Sequence, residues 1–168
     1  MALNKNIKSA IKKALERELK DYRVEEIFFE HPLVIRATND IYVDCRAMLG
    51  IHDVELFIEI EMHRNDPVHN YLKTLMWLDE NKLTHPVALL HVFDVAYVAD
   101  DKPNKDFCDF LHLKLQANYQ SLFTYKPMNL SGLSDANKKP PEFDPKVVAD
   151  KIALMAKRIV EGIHSKSK

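Results

Sequence analysis

Glu59 and Glu61 interrupt an otherwise apolar stretch, Leu56 to Pro67, which reads LFIEIEMHRNDP. Strand side chains alternate faces, and same-face neighbours two residues apart lie roughly 7 Å from each other. Glu55, Phe57, Glu59, Glu61 and His63 therefore share one side, with Val54, Leu56, Ile58, Ile60 and Met62 on the other. Carboxylates this close repel, and near a core they are costly unless a positive charge or a hydrogen bond compensates them. That face looks either at water or at a cation. Just ahead lies IYVDCRAMLGIHDVE, which carries Asp44. With a turn between Gly50 and Asp53, Asp44 and Glu59 fall on adjacent strands of a hairpin, where two carboxylates can share a divalent ion. Mg²⁺ or Mn²⁺ would take these oxygens and leave its other positions to water and phosphate. Such an ion activates water and stabilises a phosphodiester undergoing displacement.

The elements that must position these carboxylates are legible in the periodicity. Residues 4 to 22 place Ile7, Ile11, Ala14, Leu15, Leu19 and Tyr22 on one helical stripe, with lysines opposite and Glu18 close to the apolar side. From Arg23 to Met62 the period changes to two, broken by HP at 31 to 32, TND at 38 to 40 and GIHD at 50 to 53, which predicts three or four sequential antiparallel strands. Asn65 or Asp66 as N-cap and Pro67 in the first turn open a helix running to about Asn81. Its Asn70, Lys73 and Trp77 share a face away from the apolar stripe. VALLHVF at 87 to 93 reads as a strand buried on both faces. A helix over Lys105 to Tyr119, a short strand at Leu122 to Tyr125, a loop over 126 to 143 and a last helix from Asp144–Pro145 toward Gly162 complete the order. The class is α/β (α+β): a mixed central sheet with a β-meander, flanked by helices, in a single domain spanning residues 1 to 168.

This order, with Asp44 followed by Glu59-Ile60-Glu61, resembles the PD-(D/E)XK nuclease superfamily, the restriction-endonuclease-like fold. The resemblance covers residues 1 to about 125. It implies a Mg²⁺- or Mn²⁺-dependent nuclease with Asp44, Glu59 and Glu61 as the catalytic set, Asp44 and Glu59 as metal ligands, and the Ile60 carbonyl completing the site. It also implies Glu18, from the first helix, as a further metal ligand. Val43 stands where a proline often precedes the first Asp. Glu61 stands in the place of the motif lysine, so a cation must come from elsewhere or the metal must carry more of the charge stabilisation. Lys73 and Asn70 are the candidates to contact nucleic-acid phosphate, with Lys73 also able to supply a displaced positive charge. The implied partner is nucleic acid, DNA in preference to RNA, bound by a monomer or a homodimer. The alternative within the same fold is a catalytically inactive subunit that binds nucleic acid or a protein. Unrelated to both is a small interaction module whose acidic face keeps an edge strand soluble.

Composition bounds these readings. Residues 24 to 66 hold ten acids against three arginines, a local charge of −7, which a polyanionic substrate can approach only after cations offset it. The 46% hydrophobic content suffices for one sizeable core. No apolar run reaches the roughly 18 residues of a membrane span, and the N-terminus lacks the apolar core of a signal peptide, so a cytoplasmic protein with no membrane partner is expected. Cys45 and Cys108 are isolated and read as free thiols. Three glycines in the chain exclude Gly-rich phosphate loops. His52, His63 and His69 flank the acidic residues but fit no zinc spacing, and Phe28, Phe29, Phe107, Phe110 and Trp77 read as core.

Overall fold

The computed structural model describes residues 5–35, 38–51, 53–61, 67–81, 83–93, 110, 112–114, 117–119, 122–130, 134–135 and 142–166, with backbone alone for 34–35, 38–41, 61, 67–71, 134–135 and 142. The apolar stripe of the first segment becomes the buried face of α1 (Lys5–Glu18), through Ile7, Ile11, Ala14 and Leu15. Three long strands follow: β1 (Val24–Ile35), β2 (Thr38–Leu49) and β3 (Val54–Glu61). Then come α2 (Pro67–Glu80), β4 (Val87–Phe93) and β5 (Phe123–Asn129). Between β4 and β5, the described residues 110, 112–114 and 117–119 are helical. Two short strands, β6 (Ser134–Asp135) and β7 (Glu142–Phe143), pair with each other ahead of α3 (Pro145–Lys166).

The five long strands form one mixed sheet in the order β1-β2-β3-β4-β5. β1, β2 and β3 are antiparallel, while β3, β4 and β5 run parallel. Parallel neighbours need a crossover, and α2 supplies the one between β3 and β4. The predicted hairpin around Gly50 is present, with Cys45 opposite Ile58 and Leu49 opposite Val54.

Two cores sandwich the sheet. On one face, α1 and α3 pack over Cys45, Ala47, Leu56, Ile58, Ile60, Ala88, Leu90 and Val92. On the other, α2 brings Leu78 with Leu75, Met76 and Trp77 against Leu33, Phe57, Val87, Leu89, Phe123 and Tyr125. β4 contributes to both, which is why its run is continuously apolar rather than alternating. Asp144 caps α3 by accepting the Lys146 N–H on Oδ1 at 2.8 Å, and Pro145 occupies the first helical position.

The structure corrects several boundaries: α1 ends at Glu18, and the expected loop over 126 to 143 holds β6 and β7. His31-Pro32 does not break the first strand, because β1 is at the sheet edge and an edge strand tolerates a missing donor. β5 likewise continues past Tyr125 to Asn129, through Pro127. Val87 N–H donates to the Leu122 carbonyl and Leu130 N–H to the Phe93 carbonyl, so even-numbered residues of β5 bond toward β4 and odd-numbered ones point outward. The N–H that Pro127 lacks would have pointed away from β4. The outward Asn129 carbonyl receives Lys151 Nζ at 3.5 Å. No helix among the described residues is long and apolar enough to cross a membrane.

Candidate active site

Glu59 sits in the parallel half of β3, opposite His91 of β4, and its strand parity turns the side chain toward α2 together with Phe57. There it is 1% exposed. A carboxylate this deep requires a partner, and α2 provides one: Lys73 Nζ lies 2.8 Å from Glu59 Oε1 and donates to the Tyr42 carbonyl at 2.6 Å. Lys73 is itself buried beside Thr74, whereas Leu72, one residue earlier, is exposed. The lysine therefore belongs to the sheet-facing side of α2, and its ammonium joins β2, β3 and the helix.

Asp44 occupies an irregular point of β2. Val43 joins the α2-side core, yet Cys45, two residues on, joins the opposite core. A regular strand would put both on one face. The β1–β2 register is kept across this point, from Phe29–Cys45 to His31–Val43, and the intervening Glu30 has a φ of 52°, in the left-handed region. The β2–β3 ladder stops at Cys45–Ile58, and the half-buried Asp44 carboxylate then accepts the Ile60 N–H on Oδ2 at 2.8 Å. Asp44 thus engages the residue next to Glu59 through its backbone.

The negative fields of both carboxylates reach Cys45. Burial first, then Asp44 and Glu59, push its thiol far above the ordinary range, so it stays protonated and is no nucleophile. Toward the other end of β3, Glu55 is buried on the same face as Glu59. Arg46 Nε lies 2.5 Å from Glu55 Oε1, and His85 Nε2 lies 3.0 Å from Oε2. Arg46 also donates to His31 Nε2 at 2.7 Å. Burial, and then the Arg46 charge, lower the His31 pKa, which matches its role as acceptor.

Of the residues singled out by sequence, Glu59 and Lys73 pair with each other, and Asp44 bonds the backbone of Ile60, the residue after Glu59. Glu61 ends β3 opposite Phe93, and Asn70 lies in α2; the side chains of both fall outside the described residues. So do His52, His63, Phe107 and the side chain of His69. Glu18 belongs to α1, on the opposite layer of the sheet, and pairs there with Arg17 Nε at 2.9 Å. Trp77 is a core residue, its ring edge-on to Phe57 at 5.0 Å. Phe110 is not: it is exposed, beneath Lys114.

Sequence reasoning missed His91. It is fully buried next to the Glu59 strand position, 4.1 Å from the Phe93 ring centroid and with Nδ1 3.4 Å from the Tyr125 hydroxyl. The available signal was one titratable residue inside an otherwise apolar strand buried on both faces.

As donors, the Asp44 and Glu59 carboxylates suit a hard divalent ion that retains several waters. Among the described residues no group of three or more His, Cys, Asp or Glu is disposed to hold a metal. The site offers two carboxylate positions with an ammonium already beside one of them. Compared with family models, curated proteins and solved structures, the chain matches none.

Proposed function

We propose that this chain is a metal-dependent nuclease-like protein that hydrolyses phosphodiester bonds in nucleic acid, DNA in preference to RNA, on a restriction-endonuclease-like scaffold. The observation that carries the reading is that Asp44 holds the Ile60 N–H, next in the chain to Glu59, and Lys73 pairs with Glu59, where the antiparallel meander gives way to parallel strands. In this reading α2, not the strand position held by Glu61, supplies the positive charge. Asp44 and Glu59 would hold Mg²⁺ or Mn²⁺, which when bound supplies an activated water and offsets phosphate charge. Lys73 moderates the negative field that an approaching phosphate meets, and the Tyr42 carbonyl fixes its ammonium. Glu61, at the end of the same strand, would be the residue to orient the attacking water.

The second reading, a nuclease-fold subunit that binds without cleaving, is favoured by the depth of Glu59 and its pairing with Lys73. The separating experiment incubates the purified protein with linear duplex DNA, single-stranded DNA and RNA in Mg²⁺, Mn²⁺ or EDTA, beside Asp44→Ala. Cleavage that needs metal and is lost in Asp44→Ala supports the enzyme. Salt-sensitive binding without cleavage supports the subunit. Neither cleavage nor binding removes both.

A further inference from the structure

On the other side of the sheet from Glu59, β5 and α3 enclose a groove of about 320 Å³. Its lining includes the apolar residues Met155, Ile159 and Ile163, together with three exposed cations, Lys126, Arg158 and Lys166. None of these cations has a carboxylate within ion-pair distance among the described residues, and no acidic side chain is among the residues lining the groove. The neighbouring groove between α1 and α3 differs in having an acid, Asp150, in its lining, which with Glu18 holds its Arg17 at 2.9 Å. A cluster of like charges without counter-charges raises the local potential and attracts anionic groups.

Gly162 adds a second observation. It lies within α3, where glycine weakens a helix relative to alanine. Nothing stands within 4 Å of the Cβ it lacks, so no internal close approach requires it. Its bare backbone instead forms part of the groove.

We propose that this groove docks an acidic peptide segment of a partner protein, which places one aliphatic or aromatic side chain against Met155, Ile159 and Ile163 and its carboxylates against Lys126, Arg158 and Lys166. Recognition is through side chains and not by strand addition, since Pro127 offers no N–H on the side of β5 away from β4 and Lys151 takes the Asn129 carbonyl. A peptide fits better than nucleic acid. Single strands bind non-specifically by stacking bases on aromatic rings, and among the described residues no aromatic one lines this groove. An apolar floor inside a polar rim is the usual form of a peptide anchor site.

The test titrates the full ¹⁵N-labelled chain with a short synthetic peptide of alternating Glu and Asp around one central Leu. The comparison probes are the same peptide with Ser for Leu, its Lys counterpart, and a single-stranded oligonucleotide. Saturable shifts confined to residues around Lys126 and 155 to 166 are expected with the Leu peptide alone. Affinity should fall roughly tenfold in Arg158→Glu. A comparable loss is expected in Gly162→Leu, which fills the groove, leaves every rim charge in place and favours the helix. Unchanged spectra elsewhere show that both variants remain folded. Equal binding of the Ser peptide, tighter binding of the oligonucleotide at these residues, or absence of saturable shifts would overturn the proposal.

Discussion

The ammonium of Lys73 lies 2.8 Å from Oε1 of Glu59, and both side chains are buried between α2 and the sheet. Removing one partner of such a pair leaves an uncompensated charge in a poorly solvated place. Lys73→Met is expected to destabilise the protein by about 3–5 kcal/mol, while Lys73→Met combined with Glu59→Gln recovers a large part of that loss. Urea denaturation of the two single variants and the double variant measures the coupling, and strictly additive losses would show that the pair does not act as a unit.

Asp44 serves the backbone of β3 through its acceptance of the Ile60 N–H. Asp44→Ala strands that donor and should cost about 1–3 kcal/mol. Asp44→Asn keeps an oxygen acceptor and should cost less, and under the nuclease proposal both changes would also weaken binding of a divalent ion. Thermal melting with and without Mn²⁺, together with hydrogen exchange at the Ile60 amide, distinguishes the structural role from the ligand role.

The His31 pKa is lowered from its ordinary 6.5, by burial and then by Arg46, with Glu55 opposing. Because the unfolded chain then binds the proton more readily than the folded one, this residue's contribution is complete above about pH 6.5 and is lost as pH falls through the lowered value. Denaturation midpoints followed downward from neutral pH should therefore decline less steeply in His31→Phe than in wild type. Parallel slopes would show that His31 is not linked to folding.

Burial, reinforced by a 2.6 Å hydrogen bond to Asp79, pushes the Tyr119 phenol up to about 12. Asp79→Asn removes the charge and should bring that ionisation down toward 10. Spectrophotometric titration of wild type, Asp79→Asn and Tyr119→Phe assigns the late-titrating tyrosine. An identical curve in Asp79→Asn would exclude the carboxylate as a cause.

The hairpin was legible because Leu56, Ile58 and Ile60 alternate strictly with Glu55, Phe57 and Glu59, although the structure buries both sets, one on each side of the sheet. α2 was equally plain from Pro67 onward. What the sequence concealed was pairing at a distance. The acid-rich segment reads as self-repelling, yet Glu55 meets His85, thirty residues later, and Glu59 meets a lysine on the next helix. A lysine on a helix is usually solvated, and periodicity alone could not show that Lys73 faces the sheet. The irregularity at Asp44 was hidden for a related reason: Val43 and Cys45 are both apolar, so a strand that changes face between them keeps an unbroken pattern. His91 was masked by the apolar run that surrounds it.

The proline and lysine at the outer side of β5 also bear on how copies of this chain can associate. A sheet grows when a new strand finds an unbroken row of donors and acceptors, and this margin interrupts that row at Pro127 and occupies it at Asn129. Templated growth, into either an orderly continuous dimer or a fibril seed, is therefore hindered at this margin. β1, at the other end of the described sheet, carries a proline of its own in Pro32, so neither terminal strand offers a full set of backbone donors.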